Sequence, residues 1–286
     1  MKFIDPHIHL FDRNLGNYGW LKPSNPPQWP DKAMINRDFD QSDLLTTNYE
    51  PRGFVHVEAG FDNEQPWREI EWLEATVTMP FKSIACVDLT SEPQAFSDLI
   101  TRYTQMSSVV GVRHIFDDDA VAILSHANTL TNLQCLSHHQ LIFETQISGL
   151  DSLAVDAFID VFQQLPRLRL VLSHSCFAPI DTNEFTVWNQ AITKLANLKQ
   201  LMIKASGWEM VSRQYTDDYV LQVVAELINC FGEARVMLAS NFPLTLFSQS
   251  YSDLWACYQQ LHLANSALKS ISFDNAAKLY GFVKIA

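Results

Sequence analysis

The chain lacks any paired cysteine motif. Its five cysteines, Cys86, Cys135, Cys176, Cys230 and Cys257, are odd in number, scattered and never spaced CxxC. That pattern excludes a disulfide framework and predicts reduced thiols in a cytoplasmic protein. No apolar run approaches the roughly 20 residues that cross a bilayer, so no membrane span is expected. The opening MKFIDPHIH has no apolar stretch before a cleavage site, so no signal peptide is expected either. Positive charge is in deficit, with 20 Lys and Arg against 32 Asp and Glu and a net charge of -12. This argues against nonspecific binding to nucleic acid or anionic membranes. A few local arginines would still allow an anionic small-molecule substrate. No Gly-rich phosphate loop, GxSxG elbow or HExxH is present, which removes three common routes to catalysis.

What is present is ordinary for a globular chain: 286 residues, 47% hydrophobic and 18% charged. Eight short apolar runs can be marked: KFIDPHIHLF, GFVHVEAG, FKSIACVDL, VVGVRHIF, QLIFETQI, LRLVLSHS, LMIKASG and RVMLASNFP. Rich in Val, Ile, Leu and Phe, they read as strands buried on both faces. After the first they recur roughly every 26 to 34 residues, the length of one strand-helix unit. Segments such as NEQPWREIEWLEATV and FTVWNQAITKLANL carry helical spacing between them. The repeat predicts a (β/α)8 barrel, one domain over 1–286. The first interval is longer. Its Pro-, Asn- and aromatic-rich text at about 11–52 predicts a stiff loop between the first strand and first helix, over the C-terminal mouth, with Trp20 and Trp29 as lid candidates.

Several polar residues stand out from this apolar pattern. Alternation along a strand puts His7 and His9 on one face near the end of the first run, with Asp5 behind them. Such an HxH can supply two imidazoles to one metal or to one substrate. His174 ends the sixth run and is either a third metal ligand, a group polarising a carbonyl, or a histidine satisfied at a strand-loop junction. Alternation places His56 and Glu58 on a shared face of the second run. Arg113 is a partner for a carboxylate or polarised carbonyl oxygen, or a rim ion pair. Glu144 and Lys204 are charges among apolar residues, read as groups at the barrel mouth. Trp208 either walls a pocket or belongs to the core. The triplet Asp117 to Asp119 reads as a solvated turn.

Over nearly its whole length the text resembles the metal-independent or weakly metal-dependent lactonase branch of the amidohydrolase superfamily, the sugar-lactonase and pyrone-dicarboxylate-lactonase group. DPHIHLFD resembles the opening DxHxHxF motif and GNYGWL the segment after it. VHVEAG, GVRH and KASGW resemble the second-, fourth- and seventh-strand motifs. LVLSHSCFAP is similar to the D-H-x-G-x-P segment, VMLASNFPL to M-F-G-S-D-W-P and FDNAAKLYGF to the final N-A-x-x-x-Y-G helix. The resemblance implies a distorted barrel of amidohydrolase type. It implies that His7 and His9 bind zinc or lie near substrate, that His174 polarises the scissile carbonyl or binds the metal, and that Arg113 faces substrate.

The same resemblance exposes a departure. Asn241 stands where the family places the eighth-strand aspartate that activates water. Ser173 replaces the Asp before the sixth-strand histidine, and Cys176 and Ala178 change the residues after it. An amide orients water but cannot deprotonate it, and losing a matched base costs about 10² to 10⁴ in rate. Three routes remain: one divalent metal, zinc, on His7, His9 and His174; Glu58 or Glu144 as base; or a reactive ester in a lactone ring. A metal-free site is an equal alternative to the first. The expected function is hydrolysis of a small polar lactone by His7, His9, His174 and Asn241, with Glu58, Arg113, Lys204 and Trp208 binding substrate. The alternatives are a catalytically impaired ligand-binding barrel and a metal-dependent amidase or decarboxylase. A homo-oligomer is also allowed.

Overall fold

The computed structural model describes residues 2–46 and 49–282. Each apolar run contains one strand: β1 Ile4–Ile8, β2 Gly53–Val57, β3 Phe81–Cys86, β4 Val109–Arg113, β5 Ile142–Thr145, β6 Leu170–Leu172, β7 Leu201–Ala205 and β8 Val236–Leu238. All pair in parallel and in chain order. The ring closes beyond the strand ends, where His9 N donates to Phe242 O at 2.7 Å and Asn241 N donates to His7 O at 3.0 Å. This is a (β/α)8 barrel, and its closing seam is made of candidate site residues.

Alternation along the strands divides the buried side chains into two clusters. Ile4, Val55, Val57, Ile84, Ile142, Val171 and Met237 fill the barrel, together with Ala276 and Tyr280 of the last helix, Asn275–Tyr280. Residues one step away, such as Phe54, Val112, Phe143 and Ile203, pack outward under the helices. The helices Trp67–Thr76, Ser152–Phe162, Thr182–Leu195 and Asp217–Phe231 lie where apolar spacing predicts them. Side chains start several of them: Asp181 accepts from Asn183 N and Glu184 N, and Asp151 from Leu153 N and Ala154 N. Among the described residues, no helix is long and apolar enough to cross a membrane.

The segment after β1 differs from expectation. The sequence predicts a loop leading to a helix there, but the described residues of the segment contain no α-helix. They carry three short 3-10 turns, Gly19–Leu21, Lys32–Met34 and Gln41–Leu44, and lead directly to β2. Proline and the absence of apolar periodicity explain this, since neither sustains the i to i-4 ladder. Aromatic packing holds the segment instead. Phe11 and Phe39 exchange backbone hydrogen bonds at 3.0 Å, and Trp20 Nε1 donates to Ala59 O at 2.7 Å.

Candidate active site

Strand β1 delivers two histidines to the mouth by different means. Asp5, behind them, accepts from His7 N at 3.2 Å and from Ser240 N at 3.1 Å, which straps β1 to the residues after β8. Burial pushes its carboxyl up to about 6. His9 Nδ1 lies 2.7 Å from Val57 O, so that nitrogen carries the proton and Nε2 keeps its lone pair. The His7 ring lies 5.0 Å from that of His9 and 4.6 Å from that of His174, centroid to centroid. Burial holds both His7 and His9 well below the usual imidazole range, assisted by the charges of Lys204 at His7 and Arg113 at His9. Both rings are neutral at physiological pH.

His174 enters on strained backbone. Four successive residues, His174, Ser175, Cys176 and Phe177, have φ between 50° and 58°. Left-handed conformation costs non-glycine residues about 1–2 kcal/mol each, so the surroundings must enforce it. Trp188 Nε1 donates to Ser175 O at 2.8 Å, and Gly149 N donates to Cys176 O at 2.9 Å. The histidine then rests on Gly207, where any Cβ would lie 2.7 Å from its Nδ1. Its Nδ1 is 3.2 Å from Ser206 Oγ, and burial pushes its pKa down to about 3. When Ser206 donates to Nδ1, Nε2–H is a neutral donor for a carbonyl oxygen.

The charged residues expected to serve the site are placed differently. Arg113 donates from Nε to Glu58 Oε1 at 2.7 Å and from Nη2 to Glu58 O at 2.7 Å. Glu58 is therefore an ion-pair partner, not a free base, and Arg113 keeps only Nη1 for a ligand. His56 and Glu58 do not share a face. Val55 and Val57 fill the barrel, so His56 points outward, to Glu69 at 3.0 Å. Glu58 lies beyond the strand end and turns toward the mouth. Glu144 and Lys204 are not mouth groups either; both are fully buried inside the barrel. Lys204 Nζ donates to Glu144 Oε2, Tyr280 Oη donates to Glu144 Oε1 at 2.6 Å, and Lys204 Nζ lies 3.3 Å from His7 Nδ1. Glu144 is thus sealed from any attacking water.

Trp208 is also not a pocket wall. Its Nε1 donates to Tyr258 Oη at 2.8 Å and its ring packs on Tyr219, beneath the helices. The next residue, Glu209, belongs to the site although no sequence motif marks it. It is fully buried and accepts from Asn241 Nδ2 at 2.5 Å. Burial pushes its carboxyl up to about 7, against the pull of Asn241 and Arg213. Its only signal in the sequence is an acid in the otherwise apolar GWEMV, directly after a strand-end motif.

These groups open on a cavity of about 1210 Å³. His9, Glu58, Arg113, His174 and Asn241 line it, with His7 just beneath, and Trp20 and Trp29 of the β1–β2 segment form part of its wall. Asp117 and Asp118, expected in a solvated turn, belong to the rim with Glu64 and Asp88. The donor set does not fit the expected zinc. Among the described residues, no group of three or more His, Cys, Asp and Glu side chains is arranged to hold a metal ion. While Lys204 Nζ donates to His7 Nδ1, the proton of that ring sits on Nε2, which is buried without a protein partner and as N–H is not a ligand. Lys204 and Arg113 stand beside the imidazoles, each already paired with a carboxylate, and the eighth-strand position holds an amide in place of an anionic ligand.

Comparison with known proteins fits this architecture. An uncharacterised protein, y4mH of Sinorhizobium fredii, is 26% identical over 294 residues, covering 97% of each chain. An L-fucono-1,5-lactonase of Burkholderia ambifaria is 23% identical over 264 residues, covering 88% of this chain and 84% of its own. The crystal structure of an amidohydrolase from Burkholderia multivorans with bound HEPES superimposes with a TM-score of 0.83 at 18% identity, over 98% of this chain and 99% of the other. A zinc-bound crystal form of an amidohydrolase from that organism gives a TM-score of 0.82. The amidohydrolase family model itself matches residues 4–282, from the first residue of β1 to the end of the described chain. With the strand-end histidines and the parallel ring around them, that match assigns the chain to the amidohydrolase family.

Proposed function

We propose that the protein hydrolyses a neutral, polyhydroxylated lactone such as a sugar lactone. The observation that carries this reading is the charge of the cavity. Its lining holds five carboxylates, Glu58, Glu64, Asp88, Asp117 and Asp118, against one guanidinium, Arg113, already paired with Glu58. A dianionic ring would be repelled there, whereas hydroxyl groups find many acceptors. Trp20, Trp29 and Trp67 add flat apolar faces for the C–H side of a sugar ring. The similarity to a fuconolactonase points in the same direction.

In this reading Arg113 Nη1 and His174 Nε2–H hold the carbonyl oxygen, where negative charge develops. Water adds to the carbonyl carbon while its proton passes to the free Nε2 of His9. The ring C–O bond then breaks, and the departing alkoxide oxygen takes that proton from His9. A depressed pKa keeps His9 unprotonated at neutral pH but makes it a weak base. A strained or activated ring ester tolerates this better than an amide does. A binding barrel without turnover is the second reading, and Asn241 is the residue that favours it.

The test is proton release in weak buffer from neutral sugar lactones and dicarboxylate lactones in parallel. Opening of a neutral lactone well above background, with dicarboxylates slower, is the expected result. Faster opening of dicarboxylates removes the charge argument, and silence toward every ring favours the binding barrel.

A further inference from the structure

The amide at residue 241 has a carboxylate behind it. Asn241 Nδ2 donates to Glu209 Oε1 at 2.5 Å, while Asn241 Oδ1 and Glu209 Oε2 are both buried without a protein partner. The Asn241 backbone cannot move to relieve this. Its N donates to His7 O at 3.0 Å, its carbonyl accepts from Leu244 N at 2.8 Å, and its φ is 58°. Only the side-chain torsions are free, so Glu209 decides which end of the amide is left for the cavity that Asn241 lines.

We propose that Glu209 is a positioning residue: its ionised carboxylate captures the Asn241 N–H and leaves Oδ1 as the acceptor that holds the attacking water. This rests on the hydrolytic reading for the role of the water, but not for the pairing itself. Protonated Glu209 donates instead, the amide turns over, and Asn241 presents Nδ2 to the cavity, where it no longer accepts from water. The negative charge of the family's eighth-strand base is thus kept one contact further out. The charged and titratable groups around Glu209 are few. Arg213 donates to the Glu209 backbone carbonyl and turns its Nε to Asp31 Oδ2 at 2.7 Å, and the Tyr215 phenol feels the Glu209 charge. The segment Leu244–Phe247, packed on the turn that carries Glu209, has no ionisable side chain. Burial places the Glu209 transition near neutral pH, where the orientation can change.

The test follows the Asn241 side-chain NH2 resonances in the full ¹⁵N-labelled chain, identified by their loss in Asn241→Asp, from about pH 5.5 to about pH 8.5. A transition near pH 7 is expected in the wild type and is absent in Glu209→Gln, whereas any shift near pH 6 from Asp5, which accepts from the neighbouring Ser240 N, is common to both. Resonances that do not move in the wild type, or that move equally in Glu209→Gln, overturn the proposal. If Glu209→Gln does not fold, Glu209→Asp carries the test: the shorter carboxylate should displace or weaken the transition, and an unchanged one overturns the proposal. None of these readouts needs a substrate, so a transition without lactone opening counts against the hydrolytic reading alone. Where a lactone is opened, kcat should rise with pH through the same transition. Glu209→Gln should then lower kcat by about 10² with KM nearly unchanged, and an unchanged kcat overturns the positioning role.

Discussion

A Cβ on Gly207 would lie 2.6 Å from the Cβ of His174. The glycine after β7 therefore sets the position of the histidine after β6, and its own φ of 77° already disfavours any side chain. Gly207→Ala is expected to cost about 1–3 kcal/mol and to lower turnover by about 10², because His174 must move. Gly232 is the control. It has φ 76°, and a Cβ added there would meet nothing within 4 Å, so Gly232→Ala should lose stability without losing turnover. Thermal unfolding and initial rates on both variants check the pair.

Lys204 and Glu144 neutralise each other inside the barrel with both side chains fully buried. Lys204→Met leaves an unpaired buried carboxylate and should destabilise by about 3–5 kcal/mol in denaturant unfolding. Adding Glu144→Gln, which removes the orphaned charge, should recover much of that loss. Equal stability of the single and double variants would falsify this account of the pair.

Glu58 quenches Arg113 within the cavity. Glu58→Gln should free the guanidinium and shift preference toward anionic lactones, by about tenfold in the ratio of kcat/KM for anionic over neutral rings. A ratio that stays level means the rim carboxylates, and not Glu58, set the charge of the site.

Glu209 binds its proton more tightly folded than unfolded, so its ionisation penalises folding as pH rises from about 4.5 and does so in full above about 7. Glu209→Gln should therefore gain stability over wild type across that window, by on the order of 3 kcal/mol. The difference in unfolding free energy between the two proteins, measured at about pH 5 and about pH 8, isolates this group from the histidines.

The donor set around His7 also makes a prediction about metal. Zinc at about 100 times a true dissociation constant would stabilise the fold by about 2.7 kcal/mol. No such stabilisation is expected on adding zinc, and chelation should leave lactone opening unchanged. A zinc-dependent rise in unfolding temperature would show that Lys204 yields His7 to the ion.

The barrel is legible in the sequence because β-period runs and helical spacing depend on local residue types, and all eight runs contain their strands. The β1–β2 segment is legible as irregular but not as helix-free. Charge pairing is the part that cannot be read. Glu58 and Arg113 are 55 residues apart, and Lys204 and Glu144 are 60 apart. Nothing local to either sequence position marks such a partner. Trp208 and Glu209 are adjacent, yet the Trp goes to the core and the Glu to Asn241, because the strand ends at Ala205 and alternation no longer applies. Alternation likewise misleads for Glu58, one residue past the end of β2.

The line from Tyr280 through Glu144 and Lys204 to His7 joins the two ends of the chain across the barrel axis. Every residue that faces the cavity has been synthesised once Leu244 is in place, yet the floor beneath His7 is not finished until residue 280 docks. Without the last helix the barrel would have an open base, and water would reach the Lys204 ammonium from below. The floor of the barrel therefore depends on that helix, although no residue of it lines the cavity above.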